Sequence, residues 1–350
     1  TARQITSPMF EHGGRLYLGH ATKIDANFSD GYLLEMSSFD GKVISERQVF
    51  GVVQFSPFMA YDRLFFISSR SFDTFVSADQ GKEYAALYEF LPDDTEFIRG
   101  PTLFNCSTAP LPSLGLLTVS EGPAMRAVDI ATFDDTWRVE GPESFQGSWF
   151  SVMPLLVPSK SLIVSGAGSK GLIAVSAADG KVKWTSRLTP GILPEVCHDS
   201  DRLYCVTTEG DILCLSALDG TEVYRAKAKT PVTTSLAVSD GSLYGGLEGG
   251  GLGAFSAKDG SLLWEARDCG ILQYAPLISS SKVLFGTFEG NMCCLDTASG
   301  KMLWRYRAYS TIEFAPAISP DGLVYFSDDK RVIYCLGPSP VTERPEKAND

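Results

Sequence analysis

The sequence predicts an all-β fold, an eight-bladed β-propeller of four-stranded antiparallel blades, on three observations. The first is an internal repeat. "GLIAVSAADGKVKW" (171–184), "GDILCLSALDGTEVY" (210–224), "GGLGAFSAKDGSLLW" (250–264) and "GNMCCLDTASGKMLW" (290–304) share turn glycines at 180, 220, 260 and 300. They also share closing aromatics, Trp184, Tyr224, Trp264 and Trp304, so the period is 40 residues. The second is a small residue and a proline leading into an apolar run. It marks eight starts, at Pro8, Pro57, Pro110, Pro154, Pro194, Ser235 (Pro replaced), Pro276 and Pro316. The third is the pattern inside each unit, four alternating segments separated by glycine-bearing turns. In the seventh these are "APLIS", "KVLFGT", "MCCLDT" and "KMLWRYR".

Each element follows from this pattern. The small-Pro step opens the innermost strand. The Asp-Gly pairs at 179–180, 219–220 and 259–260 supply the positive backbone angles that tight hairpins prefer. A lone four-stranded unit cannot bury both faces, whereas units stacked around an axis do so and leave only short edges. Repeats two and three are blurred by insertions, "SSRSFDTFVSADQGKEY" (68–84) and "EGPESFQGSWFS" (140–151), although Trp137 reads as the outer-strand aromatic of the third. The eighth unit breaks off after "VIYCLG" (332–337) without an outer strand bearing Trp. Val341–Arg344 or residues upstream of Thr1 are expected to supply that strand. A single domain is expected over 1–344, with a polar, proline-rich tail disordered over 345–350.

The unit small-Pro-apolar, Leu-Tyr, Gly-x-apolar-x-Cys/Ala-Leu, Asp-Gly, Trp resembles the quinoprotein-like propeller family, most closely over residues 150–336. That family includes quinone-dependent alcohol dehydrogenases, the bacterial outer-membrane assembly propeller, and a propeller appended to some acyl-adenylating enzymes. The resemblance implies the eight-bladed fold and leaves activity open. A quinone enzyme is the weakest of its implications and no residue is carried over for it: the chain is much shorter than the dehydrogenases, and no calcium-binding set or capping Trp aligns. The neighbouring Cys293 and Cys294 invite comparison with the dehydrogenases' adjacent-cysteine disulfide. They lie in a regular third strand, however, where alternation sends one sulfur to each side.

The 350 residues are 44% apolar and 21% charged, with a formal charge of −12. An acidic surface repels phosphate backbones, so nucleic acid is not an expected partner. No apolar run reaches the length of a membrane span, and no charged-then-apolar leader opens the chain. Most of the eight cysteines sit in apolar strands, as in "LYCVT", "ILCLS" and "VIYCLG", and read as free buried thiols of a reducing compartment. The expected location is cytoplasmic; a trimmed signal peptide would leave a similar beginning.

The candidate site rests on a second recurrence. "VVQFSP" (52–57), "ILQYAP" (271–276) and "TIEFAP" (311–316) place Gln54-Phe55, Gln273-Tyr274 and Glu313-Phe314 just ahead of the innermost strand in blades 2, 7 and 8. Active members of the resembling family bind their cofactor at this mouth of the channel. Because the ring closes, blades 7, 8, 1 and 2 share one arc. Three rings with amide or carboxylate neighbours suit a pocket for an apolar or aromatic organic molecule. The insertions are expected on the same face, the second adding Trp149 and Phe150 as a rim. Glu313, among apolar neighbours, is the candidate proton-transfer group. The competing structural reading is that these aromatics wedge adjacent blades together while the polar groups satisfy the backbone.

Other constellations carry less. His12 and His198 read as turn residues, and the blades that carry the three histidines do not favour bringing them together as a triad or metal site. "GGLEGGGLG" (245–253) lacks the helix of a phosphate loop. Three functions therefore remain in view, the weakest being the quinone-dependent oxidoreductase that the family resemblance offers. Of the other two, one is a small-molecule-binding propeller, in its enzymatic form a cofactor-independent cyclase, lyase or isomerase acting by positioning. The other is a non-catalytic scaffold that grips a protein partner with its rim loops.

Overall fold

The computed structural model describes residues 4–21, 31–69, 85–91, 97–103, 109–121, 124–141, 152–166 and 171–337. These residues form eight consecutive antiparallel sheets. Blades 3 to 7 each run up and down through four strands. In blade 7 the strands are Leu277–Ser279, Lys282–Gly286, Asn291–Asp296 and Met302–Arg307, from the axis outward. Blade 8 shows three among the described residues, Ala317–Ile318, Val324–Ser327 and Ile333–Leu336. The expected outer strand at Val341–Arg344 lies outside them, as does the 345–350 tail.

The small-Pro step interrupts the innermost strand. In blade 2, Val52–Val53 and Phe58–Ala60 both pair with Arg63–Ser69, leaving residues 54–57 as a bulge outside the strand ladder. Blade 1 repeats this with Gln4–Ile5 and Phe10–His12 against Arg15–Ala21. In blades 5 to 8 the leading piece shrinks to single bridges, Ile192 to Thr207, Val232 to Leu247, Leu272 to Thr287 and Ile312 to Asp328. Proline has no N–H for a ladder, so pairing lapses there. The bulge is what places Gln54, Gln273 and Glu313 outside the regular ladder.

Alternation turns successive residues of each strand into successive seams between blades. Cys293 packs with Leu252 of blade 6, whereas Cys294 packs with Tyr325 and Phe326 of blade 8. The neighbouring sulfurs thus face opposite sides, as alternation requires. The ring closes through a cluster that joins Ile5, Met9, Leu16 and Leu18 of blade 1 to Ile312, Val324 and Tyr325 of blade 8. Tyr325 adds a hydrogen bond from its hydroxyl to Ser38 O at 3.1 Å.

The repeat aromatics clasp each blade to the next. Trp137, Trp184 and Trp264 donate Nε1–H to Ala177 O (3.3 Å), Ala217 O (2.9 Å) and Thr297 O (2.9 Å) of the following blade. Tyr224 does the same with its hydroxyl to Ala257 O at 3.1 Å. Each tryptophan ring lies over the turn glycine of that next blade. A Cβ on Gly180, Gly220 or Gly300 would come within 2.7, 2.5 and 2.5 Å of Trp137, Trp184 and Trp264. The 40-residue spacing of glycine and aromatic therefore records a contact between neighbouring units.

Three expectations on individual residues change. Cys335 is exposed rather than buried, because its side chain faces out from the third strand of blade 8. His12 and His198 lie in the innermost strands Phe10–His12 and Cys197–Asp199 rather than in turns, since those strands run one pair further than the sequence suggests. Cys205, Cys214, Cys269, Cys293 and Cys294 are buried and free, as expected. No helix among the described residues is long and apolar enough to cross a membrane.

Candidate functional site

The crossovers between blades and the turns between second and third strands share one face. Thr208 N–H donates to Gly191 O (2.7 Å), Glu248 N–H to Pro231 O (2.9 Å), Phe288 N–H to Ile271 O (2.8 Å) and Asp329 N–H to Thr311 O (2.9 Å). Ser69 and Ala85, which flank the 70–84 segment, pair with each other on this face, and Ser69 also pairs with Val52. The inserted residues themselves lie outside the described residues, as do Trp149 and Phe150.

The three recurrent pairs do not share one fate. Phe55 packs against the core between blades 2 and 3, and Phe314 against the core between blades 7, 8 and 1. These two rings wedge sheets together, which is the structural alternative drawn from the sequence. Tyr274 joins no such cluster and is 45% exposed. Gln273 is exposed, while Gln54 and Glu313 are half-buried.

Tyr274 nonetheless has company. Burial raises its hydroxyl pKa first, and the carboxylates of Glu313 and Glu195 raise it further. Glu313 belongs to blade 8 and Glu195 to blade 5, two blades away from Tyr274 on the other side. Side chains from blades 5, 7 and 8 can sense one another only where the blades converge, at the axis. Glu195 is itself raised by burial, an effect that a hydrogen bond with Ser235 of blade 6 opposes. Glu313 is raised by burial and then by the negative Asp329 and Asp328. Asp328 is held by its turn: it accepts from Tyr334 Oη at 2.6 Å and from the N–H groups of Lys330 and Val332 at 3.0 Å each. The mouth thus holds a half-exposed phenol between two carboxyl groups that burial pushes toward protonation.

Glu195 was not legible as a partner of Glu313. It stands in "ILPEVC", where the following repeats place Ser235, Ala275 and Ala315, two positions beyond the Gln/Glu column. A search for acidic residues anywhere in the unpaired step would have found it. Outward from Tyr274, the same face exposes Ile271 (47%), Phe288 (54%) and Tyr309 (83%). Phe288 is tied into the patch from both sides, by its N–H to Ile271 O and by Thr311 Oγ1–H to its own carbonyl at 2.8 Å. Charged groups border it: Glu248 and Glu289 occupy the turns of blades 6 and 7, and the blade 8 turn carries Asp329 together with the exposed Lys330 and Arg331. Two guanidinium groups at the seam between blades 6 and 7 are engaged. Arg267 donates to the carbonyls of Glu248 and Gly250 and to Thr230 Oγ1, and Arg305 donates to Asp268 O. Among the described residues no group of three or more His, Cys, Asp or Glu side chains could hold a metal ion.

Comparison with known proteins accords with this ring. No curated protein matches the sequence. Among solved structures, the computationally designed Ika8 protein superposes with a TM-score of 0.75 at 12% identity, covering 96% of each chain. BamB from Moraxella catarrhalis superposes with a TM-score of 0.56 at 13% identity, over 81% of this chain and 87% of that one. Identities this low establish the fold alone. The sequence profile described as outer membrane protein assembly factor BamB matches residues 120–339, the stretch in which the glycine–tryptophan clasps are regular. That match spans more than half of the chain, which therefore belongs to the BamB family of quinoprotein-like eight-bladed propellers.

Proposed function

We propose that the protein is a docking scaffold whose crossover face, around blades 7 and 8, receives a partner segment carrying basic and apolar side chains. The observation that carries this is the patch of Ile271, Tyr274, Phe288 and Tyr309, four large exposed apolar side chains on one face, with Glu248 and Glu289 in the turns on its blade 6 and blade 7 side. Apolar groups gathered in this way mark interaction surfaces, whereas single exposed ones do not. Tyrosine and phenylalanine are suited to be anchors, and Glu195, Glu313, Glu248 and Glu289 would steer a basic segment toward them. Family membership supports the reading, since the profile is named for an assembly factor.

A second reading keeps a small organic molecule at the axis, held by Tyr274, Gln273 and Glu313, with Gln54, Phe55, Phe314, Trp149 and Phe150 as its sequence-derived surroundings. Its support is the raised Glu313 carboxyl beside a half-exposed ring. The seating of Phe55 and Phe314 between blades removes two of the three rings that would have formed its wall, so docking is the stronger reading.

The test is fluorescence anisotropy with two labelled peptides, one alternating Lys/Arg with Leu/Phe and one its Asp/Glu counterpart. The basic peptide should bind, and bind more weakly as salt is raised. The double variant Tyr274→Ala/Phe288→Ala should lose at least about tenfold in affinity, as expected for removing anchors worth about 2 kcal/mol. Equal binding by that variant, or equal binding of both peptides, would refute docking at this patch.

A further inference from the structure

A thiol pair at the seam between blades 6 and 7 has no counterpart elsewhere in the ring. Cys269 sits in the crossover that leaves blade 6, and Cys293 in the third strand of blade 7. Both belong to one apolar cluster with Leu252, Leu272 and Val283, and they are 1% and 0% exposed. The Cys293 thiol lies 3.9 Å from the carbonyl oxygen of Cys269, and the two side chains are in hydrogen-bonding contact with each other. At 40-residue spacing, Cys269 is replaced by Thr189, Lys229 and Tyr309, and Cys293 by Ile173, Leu213 and Gly253. The repeat architecture has no need of this pair.

The surroundings favour thiol chemistry. Arg305 is the cross-strand partner of Cys293 and donates to the carbonyl of Asp268, next to Cys269. The hydrogen bond from Cys293 lowers the Cys269 pKa, and Arg305 assists against the opposing effect of burial. Holding the shared proton raises Cys293. One thiol is thus disposed to become thiolate while its neighbour keeps the proton, the division of labour between an attacking and a resolving cysteine. Among the described residues the other thiols inside the sheets lack this: Cys197, Cys205, Cys214 and Cys294 are pushed up chiefly by burial.

We propose that Cys269 and Cys293 are a disulfide-forming pair, oxidised by a low-molecular-weight or protein disulfide. Cys269 Sγ attacks the oxidant's disulfide, expelling one thiolate and forming a mixed disulfide. Cys293 Sγ then gives up its proton and attacks Cys269 Sγ, closing the internal bond and releasing the second thiol. The pair loses two electrons and two protons, and one oxidant disulfide becomes two thiols. The crossover must lift for the first step, which breaks the bond from Arg305 to Asp268 O and that from Ile271 N–H to Glu289 Oε2 (2.9 Å). Oxidation is therefore slow in the native state and faster in mild urea. The product pins the segment leading to Ile271 and Tyr274 onto blade 7. The disulfide itself does not depend on the docking reading.

The full chain, with Cys106 and exposed Cys335 both changed to Ser, is incubated with oxidised glutathione in water and in sub-denaturing urea. It is then alkylated and mapped by peptide mass spectrometry. The expected result is a Cys269–Cys293 cross-linked peptide and a loss of two hydrogen masses from the intact protein, forming faster in urea. Cys294→Ala should retain the cross-link. Cys269→Ala should abolish it, together with the rise in urea midpoint that oxidation gives the parent. Recovery of both cysteines alkylated after the urea incubation would overturn the proposal. So would a Cys293–Cys294 link in place of the Cys269–Cys293 one.

Discussion

Glu195 and Glu313 show how a binding face can cost stability. Burial raises both carboxyl pKa values, so the folded protein holds those protons more tightly than the unfolded chain does. The stability linked to the protonated forms is fully present below the unfolded carboxyl value. It is lost as pH rises through the raised folded values, and above them ionisation of these groups costs stability. Glu195→Gln and Glu313→Gln should each raise the urea midpoint at pH 7 modestly, Glu313→Gln by less because solvent screens that half-buried group. The gain should vanish below about pH 4, where the wild-type carboxyls are protonated in both states. Urea titrations at the two pH values measure this, and a midpoint at pH 7 equal to or below wild type contradicts it. Under the docking reading the same variants should bind the basic peptide less well, a division between stability and function common at functional sites.

At the scale of the element, the unit of construction is the outer strand with its aromatic and the next blade's turn. Trp184 is buried, bonded to Ala217 O and pressed on Gly220, whose φ is +72°. Trp184→Ala should cost about 3–5 kcal/mol, whereas Trp184→Phe keeps a ring, loses the hydrogen bond and should cost less. Gly220→Ala meets both the ring and the positive φ, and should cost more than about 1 kcal/mol. Urea unfolding followed by tryptophan fluorescence reads all three, and a neutral Gly220→Ala would show that the ring does not need the bare backbone. This clasp also explains why the fold was legible. Glycine and tryptophan each answer a local requirement at a fixed offset, so their spacing survives where other positions drift. The site was less legible because exposure is decided across a seam. Phe55, Tyr274 and Phe314 stand in nearly the same local sequence, yet the neighbouring blades take in two rings and leave the third at the surface. Phe288 and Tyr309 do carry a mark, since the neighbouring repeats place Thr208 and Glu248, and Thr189 and Lys229, at those turn positions, but only the folded ring brings them beside Ile271 on one face.

For the whole molecule, the ring is not equally fastened around its circumference. Seams 3/4, 4/5, 5/6 and 6/7 each carry an aromatic clasp, and four consecutive clasps tie blades 3 to 7 together. The seam between blades 8 and 1 is built differently. Gly41, the blade 1 counterpart of Gly180, has φ +69°, and among the described residues no atom lies within 4 Å of where its Cβ would be. Among the described residues, closure there rests on the apolar cluster around Tyr325 and on the bond from Tyr325 to Ser38. A seam held by fewer specific bonds should open first, because local stability follows local contacts. Native-state hydrogen exchange at increasing urea should show amides of Val43–Gln48 and Ile333–Leu336 losing protection before those of Val182–Arg187 and Glu222–Ala226. Tyr325→Phe should lower protection at the first pair of strands by about 1 kcal/mol, the worth of one hydrogen bond, and leave the second pair unchanged. Simultaneous loss of protection in all four strands would mean that the ring opens as one cooperative unit, and the unequal fastening would then have no consequence for its dynamics.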